Sequence, residues 1–178
     1  MKVGRKSLLF GVHQFIWHPI TVLAAWWHLY GRPSWKELIC IIIHDWGYWF
    51  APNMDGPEGE QHPLFAAKLA GKWLGPDYFD LCLYHSRHYS RHVGVEPSKL
   101  CWADKLSIKY EPWWLYLPRA WASGELKEYR QVAATAGFIP LSTSNRKWYS
   151  WVQDRLLKVG IEKKGNAVPY ANPDRRKI

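Results

Sequence analysis

The sequence has few cysteines and lacks both a long apolar run and a secretory cleavage site. The 178 residues include only three cysteines, Cys40, Cys82 and Cys101, whose spacing matches no disulfide framework. The longest apolar run, Leu38 to Ile43, is far shorter than the about 18 residues of a membrane span. No small-residue cleavage site follows the short apolar stretch near the N-terminus. We therefore expect a cytoplasmic protein with buried thiols and no membrane partner.

Sheet-forming and repetitive patterns are also missing. The chain has no internal repeat, no low-complexity tract and no alternation of polar and apolar residues long enough for a sheet. Helix start and stop signals recur instead. The prediction is an all-α fold, with one bundle of about six to seven helices over residues 1–160. A basic, weakly ordered tail is predicted for residues 161–178.

Caps and breakers predict where the helices lie. Ser34–Glu37 forms an S-x-x-E capping box at the start of the second helix, and Asp77 is a candidate N-cap for the fourth. Trp113–Leu117, between Pro112 and Pro118, is predicted to be a short apolar turn. The predicted helices span residues 19–30, 34–45, 62–74, 78–92, 97–107, 124–136 and 144–159.

Aromatic and basic residues are abundant. Thirteen Trp, ten Tyr and six Phe predict a core in which rings pack against rings and aliphatic side chains. Twenty-four basic and 15 acidic residues give a formal charge of +9, which favours anionic partners. A nucleotide or another anionic small molecule is the favoured partner, nucleic acid is a less favoured alternative, and homo-oligomers are left open.

An apolar segment ends abruptly in the adjacent pair His44-Asp45. Alone, such a pair is more typical of a helix end that meets solvent. His18 at a helix start and Asp104 in an apolar helix favour a metal site instead, because a carboxylate among apolar residues must be paired or bound. Two imidazoles and two carboxylates suit Mn, Fe, Co, Ni or Zn, with Mg also allowed, and leave positions open for water or phosphate oxygen.

The order of these residues resembles the HD-domain superfamily of metal-dependent phosphohydrolases, in its compact bacterial and phage type. His18–Val22 is similar to the family's first helix, Leu38–Gly47 to its apolar run followed by HD-x-G, and Trp102–Leu106 to its A-D-K/R-L element. The resemblance covers residues 13–110 and implies an all-helical fold around a metal ion. The implied ligands are His18, His44, Asp45 and Asp104.

Superfamily members with two metal ions carry two further histidines between the HD pair and the last aspartate. His62 and His85 fall at these places in the chain. His88 is the alternative to His85, because both lie on one face of the predicted 78–92 helix. The resemblance therefore implies one or two divalent ions.

The resemblance also implies a reaction, in which a metal-activated water attacks the phosphorus of a nucleotide or deoxynucleotide. Nucleotidases and deoxynucleoside triphosphate triphosphohydrolases are the two classes considered. Asp45 and Lys105 would be catalytic, and Arg87, Arg91 and Lys105 would bind the anionic substrate, although each cation also fits a solvated helix face. The side chains that could stack on a base are Tyr48, Trp49, Trp46 and Trp113.

Tyr48 marks a departure from the nucleotidase branch, which often carries a glutamate four residues after the His of the HD pair to assist the attacking water. Glu58 or Glu60 of the acidic loop 51–61 could take that role, with Asp55 as a further candidate. A solvated surface loop is the plainer interpretation of this segment.

Two other classes of function stay open. Dinuclear-iron members of the same superfamily are oxygenases, and His62 with His85 would permit that ligand count. Alternatively, the HD site is vestigial and the chain is a module that binds nucleic acid or a protein. His13 and His28 match no motif and are expected to be ordinary histidines.

Overall fold

The computed structural model describes residues 1–54 and 56–163, which form ten α-helices and no strand. The predicted all-α class is confirmed, with more helices than the six to seven expected. Short 3₁₀ turns occupy Trp46–Trp49, Gly59–Gln61 and Ile108–Tyr110. The helices are α1 (Val3–Phe10), α2 (Trp17–Tyr30), α3 (Trp35–Ile43), α4 (Pro63–Leu74), α5 (Pro76–Leu83), α6 (Arg87–Val93), α7 (Lys99–Ser107), α8 (Trp113–Ser123), α9 (Glu125–Thr135) and α10 (Asn145–Lys163).

The capping box at the start of α3 is formed. Ser34 Oγ accepts a hydrogen bond from the Glu37 backbone N–H at 3.3 Å, and Glu37 Oε2 accepts one from the Ser34 N–H at 2.7 Å. The helix ends at Ile43, so that His44 is its C-cap and Asp45 follows it. The pair therefore lies just beyond the last turn of α3, not within it as predicted.

The main core lies between α2, α3, α4, α5 and α7. Helix α2 packs along α7, and α4 packs along α5. Burial of aliphatic and ring carbon is the main stabilising term for such a core, at about 25 cal/mol per Å². Its largest buried side chains include Val22, Trp26, Ile41, Leu83 and Leu106.

Helices α8, α9 and α10 enclose a second core, which includes Tyr116, Leu126, Trp148 and Tyr149. Helix α10 also packs against α7, which carries Asp104. The C-terminal third, which no family motif covers, therefore forms a wall beside the predicted metal site.

The single helix predicted over residues 78–92 is wrong, because the chain breaks between α5 and α6. Ser86 adopts an extended ψ of 126° and caps α6, where its Oγ accepts a hydrogen bond from the His88 N–H at 3.2 Å. Serine competes well for such a capping position. The break turns His85 into the interior and leaves His88 on the exposed side of α6.

Two proline segments also differ from the prediction. Pro76 takes the first position of α5, so that Asp77 lies in the first turn and is not the N-cap. The Trp113–Leu117 segment is not an isolated turn, since α8 runs through it and continues past Pro118. The proline removes one helical hydrogen bond, and the burial of Tyr116 against the second core offsets that loss.

Aromatic rings make up less of the main core than the composition predicts. Nine of the thirteen tryptophans are exposed, and Trp35, Trp73 and Trp121 are exposed by 65, 70 and 74%. The main core is built mostly from aliphatic side chains, alanine and cysteine, with Trp26 as its one tryptophan. Small side chains let the short helices of the core approach each other closely.

The three cysteines are free and buried, as predicted. Among the described helices, none has both the length and the apolarity that crossing a membrane would require. Helix α10 extends to Lys163, so the first three residues of the predicted 161–178 tail are helical. Residues 164–178 and Asp55 lie outside the described residues.

The α3 cap can be tested by substitution. Ser34→Ala removes the side-chain acceptor for the Glu37 N–H and should lower the free energy of unfolding by about 1 kcal/mol. Urea denaturation followed by circular dichroism measures this change. Ser150→Ala, at an exposed position of α10, is the matched control and should change stability by less than about 0.5 kcal/mol. Equal losses in both variants would contradict a capping role.

Candidate metal centre

The four predicted ligands of the first metal ion come together in the folded chain. Their ligand atoms all lie within 4.8 Å of one another. His18 Nε2, from the first turn of α2, lies 3.2 Å from Asp45 Oδ2 and 3.2 Å from Asp104 Oδ1. His44 Nε2 lies 3.2 Å from the same Asp45 oxygen. Atoms bound to one ion at about 2.0–2.2 Å sit about 3.0–3.5 Å apart, so the spacing fits a coordination sphere.

A second group of ligands shares Asp45. Its other oxygen, Oδ1, lies 3.5 Å from His62 Nε2 and 3.4 Å from His85 Nε2. The two imidazole nitrogens are 3.0 Å apart. The Asp45 carboxylate therefore faces His18 and His44 with one oxygen, and His62 and His85 with the other.

Backbone carbonyls set the orientation of three imidazoles. The Nδ1 atoms of His44, His62 and His85 hydrogen-bond to the carbonyls of Ile41, Gly59 and Cys82 at 2.8, 2.7 and 2.5 Å. Each contact assigns the ring proton to Nδ1 and leaves Nε2 with a lone pair directed at the centre. This is the tautomer that a metal-binding histidine needs.

Unsatisfied buried atoms show that the residues fit a cation. Within the described part of the chain, the Nε2 atoms of His18 and His44 and the Oδ2 atom of Asp45 are buried without a hydrogen bond. The lone pairs of His62 and His85 face each other across 3.0 Å, and two acceptors cannot bond to one another. A positive ion between these groups would satisfy all of them, and the mixed nitrogen and oxygen set favours a transition metal.

The site's electrostatics keep most of these ligands in the metal-binding form. Burial lowers the pKa of His44, and burial together with the nearby His85 lowers the pKa of His62 well below its usual range, so both rings are neutral. Although burial acts to raise it, the pKa of Asp45 is held well below its usual range by the imidazoles around it. Burial likewise acts against the charge of Asp104, but Lys105 and His18 hold its pKa well below its usual range.

His18 is the exception. Burial acts to lower its pKa, but the carboxylates of Asp104 and Asp45, each 3.2 Å from Nε2, outweigh burial and raise the pKa to about 10. Without a metal ion, His18 is therefore protonated between the two carboxylates. A metal ion must displace this proton before it binds.

A cavity of about 110 Å³ opens over the second group of ligands, and we call it the cationic cavity. Asp45, His62 and His85 line its inner side, and the predicted cations Arg87, Arg91 and Lys105 lie around it. Lys105 Nζ is 2.8 Å from Asp104 Oδ2, and this carboxylate outweighs the effect of burial and raises the pKa of Lys105.

Of the two predicted glutamates, the structure brings only Glu60 to the cationic cavity. Ser86 Oγ donates to Glu60 Oε2 at 3.5 Å. Glu58 is exposed and accepts a hydrogen bond from Asn53 Nδ2 at 2.7 Å within its own loop. His88 lines the rim of the cavity and is not part of either ligand group, since its ring stacks beside His92 at 6.4 Å.

The predicted stacking residues separate into two sets. Tyr48 is buried at the centre, where its ring stacks on His62 with centroids 3.8 Å apart. Trp49 and Trp46 instead line an apolar pocket with Phe50 that does not include the metal ligands. Trp113 is 43% exposed and lies under the guanidinium of Arg146. Only Tyr48 is placed to contact a molecule at the centre.

His13 is the residue that sequence reasoning missed. Its Nδ1 lies 2.9 Å from Oε1 of Glu125, and its ring centroid is 5.1 Å from those of His18 and Tyr48. Glu125 is fully buried, and it also accepts hydrogen bonds from Ser7 Oγ at 2.6 Å and from the Val12 N–H at 2.9 Å. No local signal marks this pair, because its members are 112 residues apart in the sequence.

Gly47, two residues after Asp45, allows the second ligand group to form. A Cβ atom at this position would lie 1.9 Å from the backbone oxygen of His62. Backbone cannot yield to such a clash as a flexible side chain does. Gly47 thus has a steric role, because the absence of a side chain lets the segment before α4 approach the end of α3 closely.

Gly47→Ala should therefore displace His62 and weaken binding of a second metal ion, while the four ligands of the first group stay in place. Titration of the metal-free variant with Mn²⁺ or Co²⁺, followed by calorimetry, measures the number of ions bound. Gly71→Ala in α4 is a matched control, because the atoms nearest to its added Cβ belong to the Phe79 side chain, the first at 3.0 Å, and not to the backbone. Two tight sites in Gly47→Ala would contradict the steric role.

The state of His18 predicts a pH dependence of metal binding. Its pKa is raised to about 10 in the metal-free protein, so below that pH an ion that binds at the first site must release the His18 proton. We expect one proton to be released per ion at the first site and an apparent affinity that rises about tenfold per pH unit near neutrality. Calorimetry in two buffers of different ionisation enthalpy measures the release. His18→Asn should abolish this proton release; unchanged release would assign it to another group.

Comparisons with family models, with curated proteins and with solved structures return no match.

Proposed function

We propose that this protein is a metal-dependent phosphohydrolase that acts on a phosphate ester, with a nucleotide or deoxynucleotide as the favoured substrate. The observation that carries the proposal is the shared Asp45 carboxylate. It joins two groups of buried ligands directly beneath a cavity bordered by three cationic side chains. The resemblance of the motifs to the HD-domain superfamily supports the same chemistry.

The chain would hold two divalent transition-metal ions. The first would be bound by the group that contains His18, His44 and Asp104, and the second by His62 and His85, with Asp45 common to both. Metal ions so placed would lower the pKa of a bound water and polarise a phosphoryl oxygen.

The residues around the ligands complete the site. Lys105 and Arg87 border the cationic cavity, where they would bind phosphoryl oxygens and stabilise the negative charge that develops in the transition state. Arg91 lies one helical turn after Arg87, and its Nε donates to the Arg87 carbonyl at 3.0 Å. This contact keeps the Arg91 guanidinium at the same rim, where a second phosphate could reach it.

Glu60 is the carboxylate that we propose to accept a proton from the attacking water. Tyr48 occupies the position of the glutamate that the nucleotidase branch often carries, and it cannot act as a base at neutral pH. Glu60 lines the cationic cavity and accepts a hydrogen bond from Ser86 Oγ. Tyr48 instead packs on His62 and excludes water from that face of the ring.

The second ligand group also favours an alternative, a dinuclear-iron oxygenase. Four histidines and two aspartates match the ligand count of the oxygenase members of the superfamily that the sequence resembles. Such an activity would consume oxygen and require iron, whereas hydrolysis would proceed with Mn²⁺ or Co²⁺ under nitrogen. Metal analysis of the purified protein and an oxygen electrode separate the two.

Hydrolysis of a nucleotide panel with Mn²⁺, Co²⁺, Zn²⁺ and Mg²⁺ tests the proposal directly. Asp45→Asn should lower kcat/KM by about a hundredfold or more, because it weakens both ligand groups while the residue keeps its shape. His85→Asn should bind one ion fewer. His92→Asn, which changes an exposed histidine on α6, is the matched control and should keep wild-type activity and metal content.

An inert wild-type protein with every metal and nucleotide would overturn the proposal. Binding of nucleic acid that falls steeply with salt would then favour the module with a vestigial site. Wild-type activity in a folded Asp45→Asn variant would also contradict the assignment, since no other described residue joins the two ligand groups.

A further inference from the structure

A second and larger cavity, of about 300 Å³, opens on the other side of His18 and Asp104. We call it the aromatic cavity. It shares a boundary with the cationic cavity, since Tyr48, Arg87 and Lys105 line both. A molecule whose anionic end lies in the cationic cavity can therefore extend into the aromatic cavity past the metal ligands.

The wall of the aromatic cavity comes from the C-terminal third of the chain. Helices α8, α9 and α10 and the segment between α9 and α10 supply rings and aliphatic side chains. These include Tyr116, Val132, Ala133, Phe138, Trp148 and Trp151. The HD-like motifs contribute only polar residues, at one end of this cavity. Residues outside the motifs therefore determine its aromatic and aliphatic lining.

We propose that the organic group of the substrate is an aromatic ring system, such as a nucleobase, and that it lies in the aromatic cavity. This inference rests on the proposed phosphohydrolase function for the placement of the phosphate. The ring would stack among Tyr116, Trp148 and Trp151, and the phosphoryl group would lie beside Lys105 and Arg87. The C-terminal helices thereby determine substrate specificity.

The size and chemistry of the aromatic cavity fit two other kinds of organic group less well. A volume of about 300 Å³ is at the lower end of the range for small-molecule pockets, about 300–1,000 Å³, and is too small for a long acyl chain. A small polyol such as glycerol would leave the ring-lined wall unfilled. Aromatic groups gain both the stacking and the burial of their faces.

The test fills the cavity and compares substrates of two sizes. Ala133→Leu places a larger side chain in the cavity wall, whereas Ala122→Leu makes the same change at an exposed position of α8. With the Mn²⁺-loaded full chain, Ala133→Leu should lower kcat/KM for adenosine monophosphate by about tenfold or more and change that for glycerol phosphate by less than about twofold. Ala122→Leu should change neither.

A binding experiment tests the aromatic cavity independently of phosphate hydrolysis. Calorimetric titration with adenosine, which has no phosphate, should give binding to the wild type that is lost in Ala133→Leu. Circular dichroism checks that each variant is folded. If Ala133→Leu does not fold, Val132→Phe, at a half-exposed position of the same wall, replaces it.

The outcomes distinguish the two proposals. Equal turnover of adenosine monophosphate and glycerol phosphate, with no binding of adenosine, would overturn the aromatic cavity and leave the phosphohydrolase proposal standing. Binding of adenosine that depends on Ala133, with no turnover of any phosphate ester, would support the cavity and contradict the reaction. Equal effects of Ala133→Leu on both substrates would assign this residue a structural role and overturn the inference.

Discussion

The two oxygens of one buried carboxylate organise this fold. Asp45 Oδ2 faces His18 and His44, and Oδ1 faces His62 and His85. A charge at this depth is unfavourable unless several groups compensate it. The start of α2, the end of α3, the start of α4 and the end of α5 lie around Asp45 and supply that compensation. Around the centre, polar residues at helix ends face Asp45, and the apolar faces of the same helices pack in the main core.

Helix termini and breaks, more than helix faces, position the centre. His44 caps α3, His62 precedes α4, and His85 lies in the break that Ser86 imposes between α5 and α6. At such places backbone carbonyls are free of helical partners, and three of them orient the imidazole rings. Gly47 then removes the one atom that would keep two of these termini apart.

The sequence predicted the all-α class and brought His18, His44, Asp45 and Asp104 into consideration, because capping boxes and apolar runs are local signals. The sequence-based prediction was wrong where two local signals conflicted, or where tertiary packing outweighed a local signal. Helical periodicity across residues 78–92 concealed the capping role of Ser86, and Pro118 suggested a break that tertiary packing overrides. The pairing of His13 with Glu125 had no local signal at all, since only the folded chain brings them together.

Glu125 links α9 to residues 7–13 near the start of the chain. Its buried carboxylate depends on donors from Ser7, Val12 and His13, and Gly11 packs against it so closely that an added Cβ would lie 2.3 Å from Oε2. Residues 7–13, at the end of α1 and after it, therefore hold the Glu125 carboxylate in place. A truncation or fusion that moved this segment would leave the charge of Glu125 buried without its donors, and the change would extend to both cavities, because His13 lines each of them.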